Sequence, residues 1–354
     1  MCVNSSDGDV VPTISVNGKP VKNVEKIIYI GDGFNRKGSN KDLINDRIAK
    51  GMRCLRNTIA ECTDTTLGQY AIESSMLLYK TVFVKTILFN CGAWCNLTKQ
   101  NIESLQVLQM KYLKRILHSP KSTPNIAVLM ELGVKPIETE IHIRQLNFLH
   151  QILCLDENDP VRRVYEQSKR FEFEKTWFRE VKALIQKYDL EDVEENIKEI
   201  EKEQWKKQVN ERVEATVIKQ YNEEYKKGKM TRAYHPLEKL ELKEYMKELK
   251  PSRARTLFKV RSKTIDLRNV RKYQYKTHSC RLCGDGEESI NHVLNICTHM
   301  KGEATNESMN EDDIYGNDKE KLEYIVTKFH NFGLKVEEKE KKNAPENSLV
   351  TNDE

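Results

Sequence analysis

Four potential metal ligands lie within 18 residues of the sequence, in the stretch SCRLCGDGEESINHVLNICTH. They are Cys280, Cys283, His292 and Cys297, with the spacing Cys-x2-Cys-x8-His-x4-Cys. Two cysteines separated by two residues can bind one ion from a tight turn, and Gly284 after the second cysteine suits that turn. Three thiolates and one imidazole are typical ligands of a closed, structural zinc site. The spacing therefore predicts a small zinc knuckle whose folding depends on the ion.

Two alternatives to this ligand set remain open at the level of sequence. The three cysteines could be buried thiols, with a histidine near them by chance. His278 and His299 flank the four residues and could replace one of them as ligands, or they could be surface residues in a basic context.

The composition argues against one large globular core. Hydrophobic residues make up 38% of the chain and charged residues 32%, and the mean hydropathy is −0.68. Such a balance is typical of elongated helical structure with solvated faces. The nine cysteines are odd in number, and the first residues show no secretory signal, which predicts reduced thiols in an intracellular protein of the cytoplasm or nucleus. Two lysines interrupt the most apolar stretch, so no membrane association is expected.

Charge is distributed unevenly along the carboxyl-terminal part of the chain. Residues 251–280 contain nine lysines and arginines against one acid, Asp266, whereas residues 301–354 contain eight basic and fourteen acidic residues. Cations can contact phosphates, and aromatic rings can stack on unpaired bases. The candidate nucleic-acid contacts are Arg268, Arg271, Lys272, Tyr273, Tyr275, Lys276 and Arg281. A solvated basic face with two core tyrosines explains the same pattern, and the adjoining zinc motif favours the nucleic-acid interpretation.

Hydrophobic periodicity predicts a mainly α fold. Asn17-Gly18 between two short apolar runs indicates a β-hairpin. Apolar residues spaced three or four apart predict helices from about residue 39 onward, including a central helix near 66–90. Trp205, Val209, Val213, Val217 and Tyr221 form a narrow apolar stripe on a long charged helix. The expected architecture is a short N-terminal β-hairpin, an elongated multi-helix bundle, a small zinc knuckle and a loose acidic tail with one short helix near 322–332.

The order of several segments resembles a known family. Five segments follow one another along the chain. In order, they are EKIIYIGDGFNRKGSNKDLINDRIAKG, LLYKTVFVKTILFNCGAWCNLT, LQVLQMKYLKRIL, STPNIAVLMELGVKPIETEIHIRQLNFLHQILCLDENDPVRRVY and the knuckle CRLCGDGEESINHVLNIC. In this order they resemble the part of non-LTR (LINE-type) retrotransposon reverse transcriptases that follows the catalytic palm. The resemblance covers roughly residues 14–300 and depends on the collinear order of the pieces.

The resemblance implies roles for residues near the amino terminus. The Tyr-Leu-Gly strand of that family belongs to the primer grip, and here it reads Tyr29-Ile30-Gly31. The helices after it form the thumb, which holds the template–primer duplex. Four cations of the first helix become candidates for contact with the duplex backbone: Arg47, Lys50, Arg53 and Arg56. Their spacing drifts around a helix, so a partly solvated basic face is an equally good interpretation.

These patterns divide the chain into five expected parts. They are a primer-grip-like hairpin over 1–38, a thumb-like helical bundle over 39–155, a charged helical linker over 156–250, a basic segment with the CCHC knuckle over 251–300, and the acidic, partly disordered tail over 301–354.

The expected function is binding without catalysis. Polymerases of the resembled family need palm aspartates that hold two magnesium ions. No such hairpin precedes Tyr29, and Asp312-Asp313 lacks flanking apolar strands. The sequence thus predicts a non-enzymatic fragment that binds RNA or single-stranded DNA, or a template–primer duplex if joined by a palm, with structural zinc and no small-molecule substrate. The alternatives are a zinc-stabilised helical interaction protein without nucleic-acid binding, and the C-terminal part of an active RNA-directed DNA polymerase whose palm is missing from this chain.

Overall fold

The computed structural model describes residues 14–22, 24–29, 31–36, 38–63, 72–170, 176–194, 196–300 and 308–342. The chain folds into two compact units, each assembled from separate stretches of sequence. The first unit contains residues 1–62, 76–112 and 135–220, and the second contains residues 63–75, 113–134 and 221–354. The metal motif and the basic segment both belong to the second unit.

The predicted N-terminal hairpin is confirmed. Strand β1 (Ser15–Val16) pairs antiparallel with β2 (Lys19–Pro20), and Asn17 and Gly18 form the turn between them. Both turn residues have positive φ, 51° and 74°, which is the backbone conformation that asparagine and glycine tolerate best.

A second antiparallel hairpin follows the first. Strand β3 (Lys26–Tyr29) pairs with β4 (Asp32–Asn35), in a register that places Tyr29 opposite Asp32. The turn contains Gly31, whose φ of +84° favours glycine. Ile30 lies outside the described residues. The sequence predicted a single strand ending in glycines here. The structure shows that the chain reverses at Gly31 and that Gly33 belongs to the second strand, opposite Ile28.

The rest of the described structure is mainly helical, as expected from the periodicity. The helices are α1 (Lys41–Thr63), α2 (Ile72–Leu78), α3 (Val84–Ile87), α4 (Lys99–Ile116), α5 (Asn125–Leu132), α6 (Ile137–Leu153), α7 (Pro160–Ser168), α8 (Trp177–Lys187), α9 (Glu191–Glu194), α10 (Lys202–Glu224), α11 (Tyr245–Glu248), α12 (Pro251–Arg261), α13 (Glu311–Tyr315) and α14 (Lys319–Lys342). A π-helical turn joins α2 to α3.

Aromatic packing marks the core of the first unit. The rings of Phe83 and Tyr112 lie 4.3 Å apart between centroids, and the ring of Tyr79 stacks on Phe83 at 5.6 Å. Gly51 of α1 lets its helix approach this core closely, since a Cβ there would lie 2.7 Å from side-chain atoms of both Ile87 and Leu108. Any larger residue at this position would force the helices apart.

The stretch predicted as a charged linker contributes to the core of the first unit. Trp205 is 1% exposed, and Val209, Val213 and Val217 are no more exposed than that. The indole Nε1 of Trp205 donates a hydrogen bond to the carbonyl of Leu146 at 3.2 Å. The apolar stripe on α10 is narrow because only one residue per helical turn packs into the core. Charged residues cover the other faces of α10.

Buried arginines join the elements of the second unit. Arg255 Nε donates to the carbonyl of Ile116 at 2.9 Å, and Arg261 Nε donates to the carbonyl of Ile314 at 2.8 Å. Tyr315 returns a hydrogen bond to the carbonyl of Arg261 at 2.6 Å. These side chains satisfy the backbone where helices end, so two of the nine cations of the 251–280 segment are structural.

The acidic tail contains more helix than the sequence predicted. In place of one short helix near 322–332, α14 spans 24 residues and buries Leu322, Ile325, Phe329, Phe332 and Val336. These positions recur every three, four or seven residues, so they form one apolar stripe that packs into the second unit. Residues 301–307 and 343–354 lie outside the described residues.

Among the helices of the described ranges, none combines the length with the apolar character that crossing a bilayer requires.

Replacing Gln109 by leucine is expected to destabilise the first unit. Gln109 is fully buried and donates to the Tyr79 hydroxyl at 2.8 Å and to the Lys135 carbonyl at 2.9 Å, while its oxygen accepts from the Ile137 N–H at 3.0 Å. The leucine would leave these three groups unsatisfied, at a cost of about 2–4 kcal/mol in the free energy of unfolding. Urea denaturation measures this change. Gln100→Leu, at an exposed position of the same helix, should change the free energy by less than about 0.5 kcal/mol, and an equal effect of both variants would contradict the assignment.

Candidate metal centre and basic surface

The four predicted ligands converge in the structure. One ligand atom from each of Cys280, Cys283, His292 and Cys297 lies within 4.8 Å of every other, and this set is called the metal cluster below. The sulfurs of Cys280 and Cys297 are 3.8 Å apart, and Cys283 Sγ lies 3.3 Å from His292 Nε2. Zinc–sulfur bonds of 2.3 Å in a tetrahedron place two sulfurs about 3.8 Å apart. The group could therefore hold a metal ion, and its donors are compatible with zinc.

Backbone turns bring the first two cysteines together. The Gly284 N–H donates to the Cys280 carbonyl at 2.9 Å, and the Cys280 N–H donates to the Gly286 carbonyl at 3.0 Å. Gly284 and Gly286 have positive φ, 80° and 68°, so both favour glycine. A π-helical turn over His292–Ile296 then presents His292 and leads directly into Cys297. This local geometry explains why the sequence spacing predicted the cluster correctly.

The cluster is shielded from solvent on most sides. Cys280 and Cys297 are each 2% exposed and His292 is 4% exposed, while Cys283 is half-buried. Burial raises the pKa of the Cys280 thiol, and burial with the nearby Cys280 raises the pKa of Cys297 to about 12. Burial lowers the pKa of His292, which keeps the imidazole neutral and able to ligate. A metal ion must then displace thiol protons, so its affinity falls as the pH falls.

A buried carboxylate supports the turn that contains the first two ligands. Glu288 is fully buried, and its oxygens accept hydrogen bonds from the backbone N–H groups of Arg268 at 3.1 Å and Arg281 at 2.8 Å. The Arg281 guanidinium also donates to Glu288, with Nη2 2.7 Å from Oε1. Because Arg281 lies between Cys280 and Cys283, Glu288 fixes the cysteine turn from behind. Such outer contacts orient the groups that bind the metal.

Lysines of α14 donate hydrogen bonds to backbone carbonyls next to the cluster. Lys339 Nζ donates to the carbonyls of Arg281 and Leu282, each at 2.9 Å, and Lys335 Nζ donates to the carbonyl of His299 at 3.0 Å. The buried Lys328 donates to the carbonyl of Met300. Sequence reasoning missed these residues because it treated the tail as loose. The three lysines are spaced seven and four residues apart, which places them on one face of a helix. This spacing in the sequence could have indicated that they act together.

Most cations predicted to contact nucleic acid have partners within the protein. Arg268 donates to Thr277 and Ser279, each at 3.1 Å, and Arg271 pairs with Asp266 at 3.4 Å. The guanidinium of Arg281, whose side chain is 11% exposed, is held by Glu288. Carboxylates therefore offset the charges of Arg271 and Arg281, while Arg268 is held by uncharged partners.

Asp266 organises the same region. Its carboxylate accepts a hydrogen bond from the Tyr275 hydroxyl at 2.9 Å, and burial with this hydrogen bond raises the pKa of Tyr275. The guanidinium carbons of Arg268 and Arg281 lie 5.8 and 5.5 Å from the Tyr275 ring centroid. The Tyr275 ring therefore lies close to two arginines, whereas the sequence had suggested stacking on a base.

Three predicted contact residues project into solvent. Lys272, Tyr273 and Lys276 are exposed, and the relative exposure of Tyr273 is 106%. None of the three side chains has a hydrogen-bonding or ionic partner among the residues that the structure describes. All three lie within eight residues of Cys280 in the sequence, and they are called the exposed basic group below.

Lys272 and Tyr273 also line a groove of about 940 Å³. Its floor is apolar and includes Val270, Leu294 and Ile314, and its cationic lining residues are Lys229, Arg232, Lys263 and Lys272. Glu311 is the single acid of the lining, and it pairs with Lys263 at 3.0 Å. The groove thus combines an apolar floor with a basic rim.

Structural contacts also occupy two of the four candidate backbone cations on α1. Arg47 is 2% exposed, forms an ion pair with Asp32 and donates to the Gly31 carbonyl at 3.2 Å. Lys50 pairs with Asp46 at 2.6 Å. The two remaining cations, Arg53 and Arg56, are exposed, and so is Tyr29 of β3. Arg47 therefore anchors the turn of the second hairpin to α1.

Comparison with known proteins finds no matching family model, no matching curated protein and no matching solved structure. The resemblance to the post-palm part of reverse transcriptases stays a prediction.

Loss of two cluster thiols is expected to abolish metal binding. Purified protein should contain about one zinc ion per chain, and the double variant Cys280→Ser and Cys283→Ser should contain none, because two hydroxyls cannot replace two thiolates as ligands. Elemental analysis after dialysis measures the content. The matched control, Cys95→Ser with Cys154→Ser, removes two thiols elsewhere and should retain the ion. Equal zinc content in both double variants would exclude the cluster as the site.

Glu288→Gln is expected to weaken metal binding while all four ligands remain. The glutamine amide has one acceptor oxygen where the carboxylate has two. The backbone N–H and the guanidinium of Arg281 therefore lose hydrogen bonds, and the cysteine turn is held less firmly. Competition with a chromophoric chelator should show an affinity about 10-fold or more below that of the parent. Glu287→Gln, at the exposed neighbouring position, serves as the control. The interpretation would fail if both variants bound zinc as tightly as the parent.

Proposed function

We propose that this chain binds RNA or single-stranded DNA through the exposed basic group beside the metal cluster, and that it acts without catalysis of its own. In this proposal the cluster binds zinc in a structural role. The likeness in segment order to the post-palm part of LINE-type reverse transcriptases supports a retroelement origin. It also suggests that the helices of the chain contact a template–primer duplex when a palm is present.

The observation that carries the proposal is the arrangement of Lys272, Tyr273 and Lys276. A fully exposed tyrosine between cations combines a stacking platform with phosphate contacts. The groove beside it adds further cations on its rim, and its apolar floor suits the face of an unpaired base. Sequence-tolerant binding of single strands needs both features.

Zinc would contribute by ordering the segment that carries this group. The metal cluster begins four residues after Lys276, and the segment between them contains no helix or strand of its own. A structural zinc ion stabilises such a segment by supplying folding free energy on binding. The exposed residues are then held in place relative to the groove.

A second function is favoured by a different observation. Arg268, Arg271 and Arg281 all have partners within the protein, which leaves a modest number of cations for phosphates. A zinc-stabilised helical interaction protein without nucleic-acid binding would show the same internal contacts. Measured binding to oligonucleotides distinguishes the two functions.

Oligonucleotide binding is expected to depend on salt and on Tyr273. Fluorescence anisotropy with single-stranded RNA and DNA should show an affinity that falls roughly 10-fold between 50 and 200 mM salt, as two or three phosphate contacts predict. Tyr273→Ala should cost about 1–3 kcal/mol of binding free energy through lost stacking. Lys272→Ala with Lys276→Ala should also reduce the salt dependence.

Lys182→Ala, at an exposed site in the other unit, is the control and should bind like the parent. Retained zinc content in every variant shows that the fold is intact. If the parent protein bound neither RNA nor DNA at low salt, the interaction function would replace the proposal.

A further inference from the structure

A second group of basic side chains lies where the end of α4 meets α12. Arg115 is in the last turn of α4 and His118 follows that helix, while Arg255 and Lys259 are four residues apart on α12. Arg255 Nε donates to the Ile116 carbonyl at 2.9 Å, which holds the two helices together at this point. All of these residues belong to the second unit. The four basic side chains are called the α4–α12 cluster below.

Three members of the cluster are free to contact a ligand. Within the part of the chain that the structure describes, no hydrogen bond or ion pair holds the side chains of Arg115, His118 or Lys259. Arg115 and His118 are exposed, and Lys259 is half-buried with its Nζ still accessible to solvent. A ligand can therefore reach each of these donors from the surface.

The positive charges of the cluster are not balanced by acids. Partial burial, together with the charges of the other three members, lowers the pKa of His118 to about 4. Burial, with the charges of Arg271 and Arg255 as further causes, lowers the pKa of Lys259. A carboxylate close by would raise both pKa values, and no described carboxylate contributes to either. Like charges gathered in a partly desolvated place cost free energy, which a bound anion would offset.

The cluster adjoins the exposed basic group. Arg271 is close enough to Lys259 for its charge to lower the pKa of that lysine, and Lys272 and Tyr273 follow Arg271 directly in the chain. Arg271 itself pairs with Asp266 at 3.4 Å, so its charge is already offset, whereas that of Lys259 is not. A single strand that stacks on Tyr273 thus has a second basic site near its backbone.

We propose, resting on the function proposed above, that the α4–α12 cluster binds one phosphate group from the backbone of the strand held at the exposed basic group. Arg115 and Lys259 supply positive charge and N–H donors, and the imidazole of His118 donates a further hydrogen bond. A phosphate is an acceptor that carries negative charge, so it matches a group of donors without acceptors. Free phosphate offers the same chemistry. Positive side chains are also favourable at the carboxyl ends of helices, which gives a structural alternative.

The double variant Arg115→Gln and Lys259→Gln tests the contact, because glutamine keeps an extended side chain and removes the charge. Fluorescence anisotropy with a single strand of about 16 nucleotides should show binding about 3- to 10-fold weaker than that of the parent at about 100 mM salt. The slope of log affinity against log salt should fall in magnitude by about 0.7, the contribution of one phosphate contact on a single strand. Tyr273→Ala should weaken binding without this change in slope, since stacking releases no counterions.

A matched control and a stability measurement separate binding from a structural role. Lys202→Gln with Lys207→Gln removes two charges from exposed positions of α10 in the first unit and should bind like the parent. The cluster variant should unfold at the temperature of the parent or above it, because it relieves repulsion between like charges. A lower unfolding temperature with unchanged oligonucleotide binding would assign these cations to the helix ends and overturn the proposal.

Inorganic phosphate distinguishes the two sources of the ligand. At millimolar concentration it should raise the unfolding temperature of the parent, but not that of the cluster variant, relative to chloride at equal ionic strength. If phosphate had this effect while the variant bound oligonucleotide like the parent, the ligand would be free phosphate and the assignment to the strand would be wrong. An absent phosphate effect together with parent-like binding by the variant would exclude a phosphate site altogether. If the parent bound no oligonucleotide, the proposed function would fail, and a phosphate effect lost in the variant would still support a phosphate site.

Discussion

The buried carboxylate of Glu288 is the contact on which the carboxyl-terminal part of this protein depends. It accepts from the backbone of Arg268, from the backbone of Arg281 and from the Arg281 guanidinium. A buried charge is tolerated only where hydrogen bonds and an opposite charge replace water. Glu288 meets this condition, and the requirement ties the basic segment to the cysteine turn. The position of the basic segment therefore determines the position of the cysteine turn, and the reverse also holds.

This coupling changes how the basic segment should be understood. A charge count treats every cation as available to a polyanion, but folding uses several of them first. Arg255 and Arg261 donate to backbone carbonyls, and the guanidinium groups of Arg268 and Arg281 lie close to the Tyr275 ring. The cations left in solvent are clustered at one place near Tyr273. A surface with few free charges and one aromatic ring depends on geometry as well as on net charge for its affinity.

Local rules made part of this structure predictable from the sequence. Asn17-Gly18 specified its hairpin because few residues tolerate positive φ, and the four-residue repeat from Trp205 specified a buried helical face. The ligand spacing around Cys280 predicted convergence because turns bring these residues together over short distances. In each case the information lay within about twenty residues.

Features that depend on distant partners were not predictable. Arg47 had been a candidate for contact with a duplex, yet Asp32 of the second hairpin pairs with it. Glu131 is fully buried, and the arginine that pairs with it, Arg261, lies more than a hundred positions further along the chain. The length of α14 was underestimated because its charged residues suggested solvent, although its lysines reach back to carbonyls near the cluster. Pairings of this kind need a three-dimensional structure.

The support from α14 has a consequence for how the protein is made. All four cluster side chains leave the ribosome before Lys335 and Lys339, which donate hydrogen bonds to backbone carbonyls next to the cluster. The four cluster side chains can therefore come together before these lysine contacts form. The contacts from α14 are added last, after the segment that they hold has already left the ribosome.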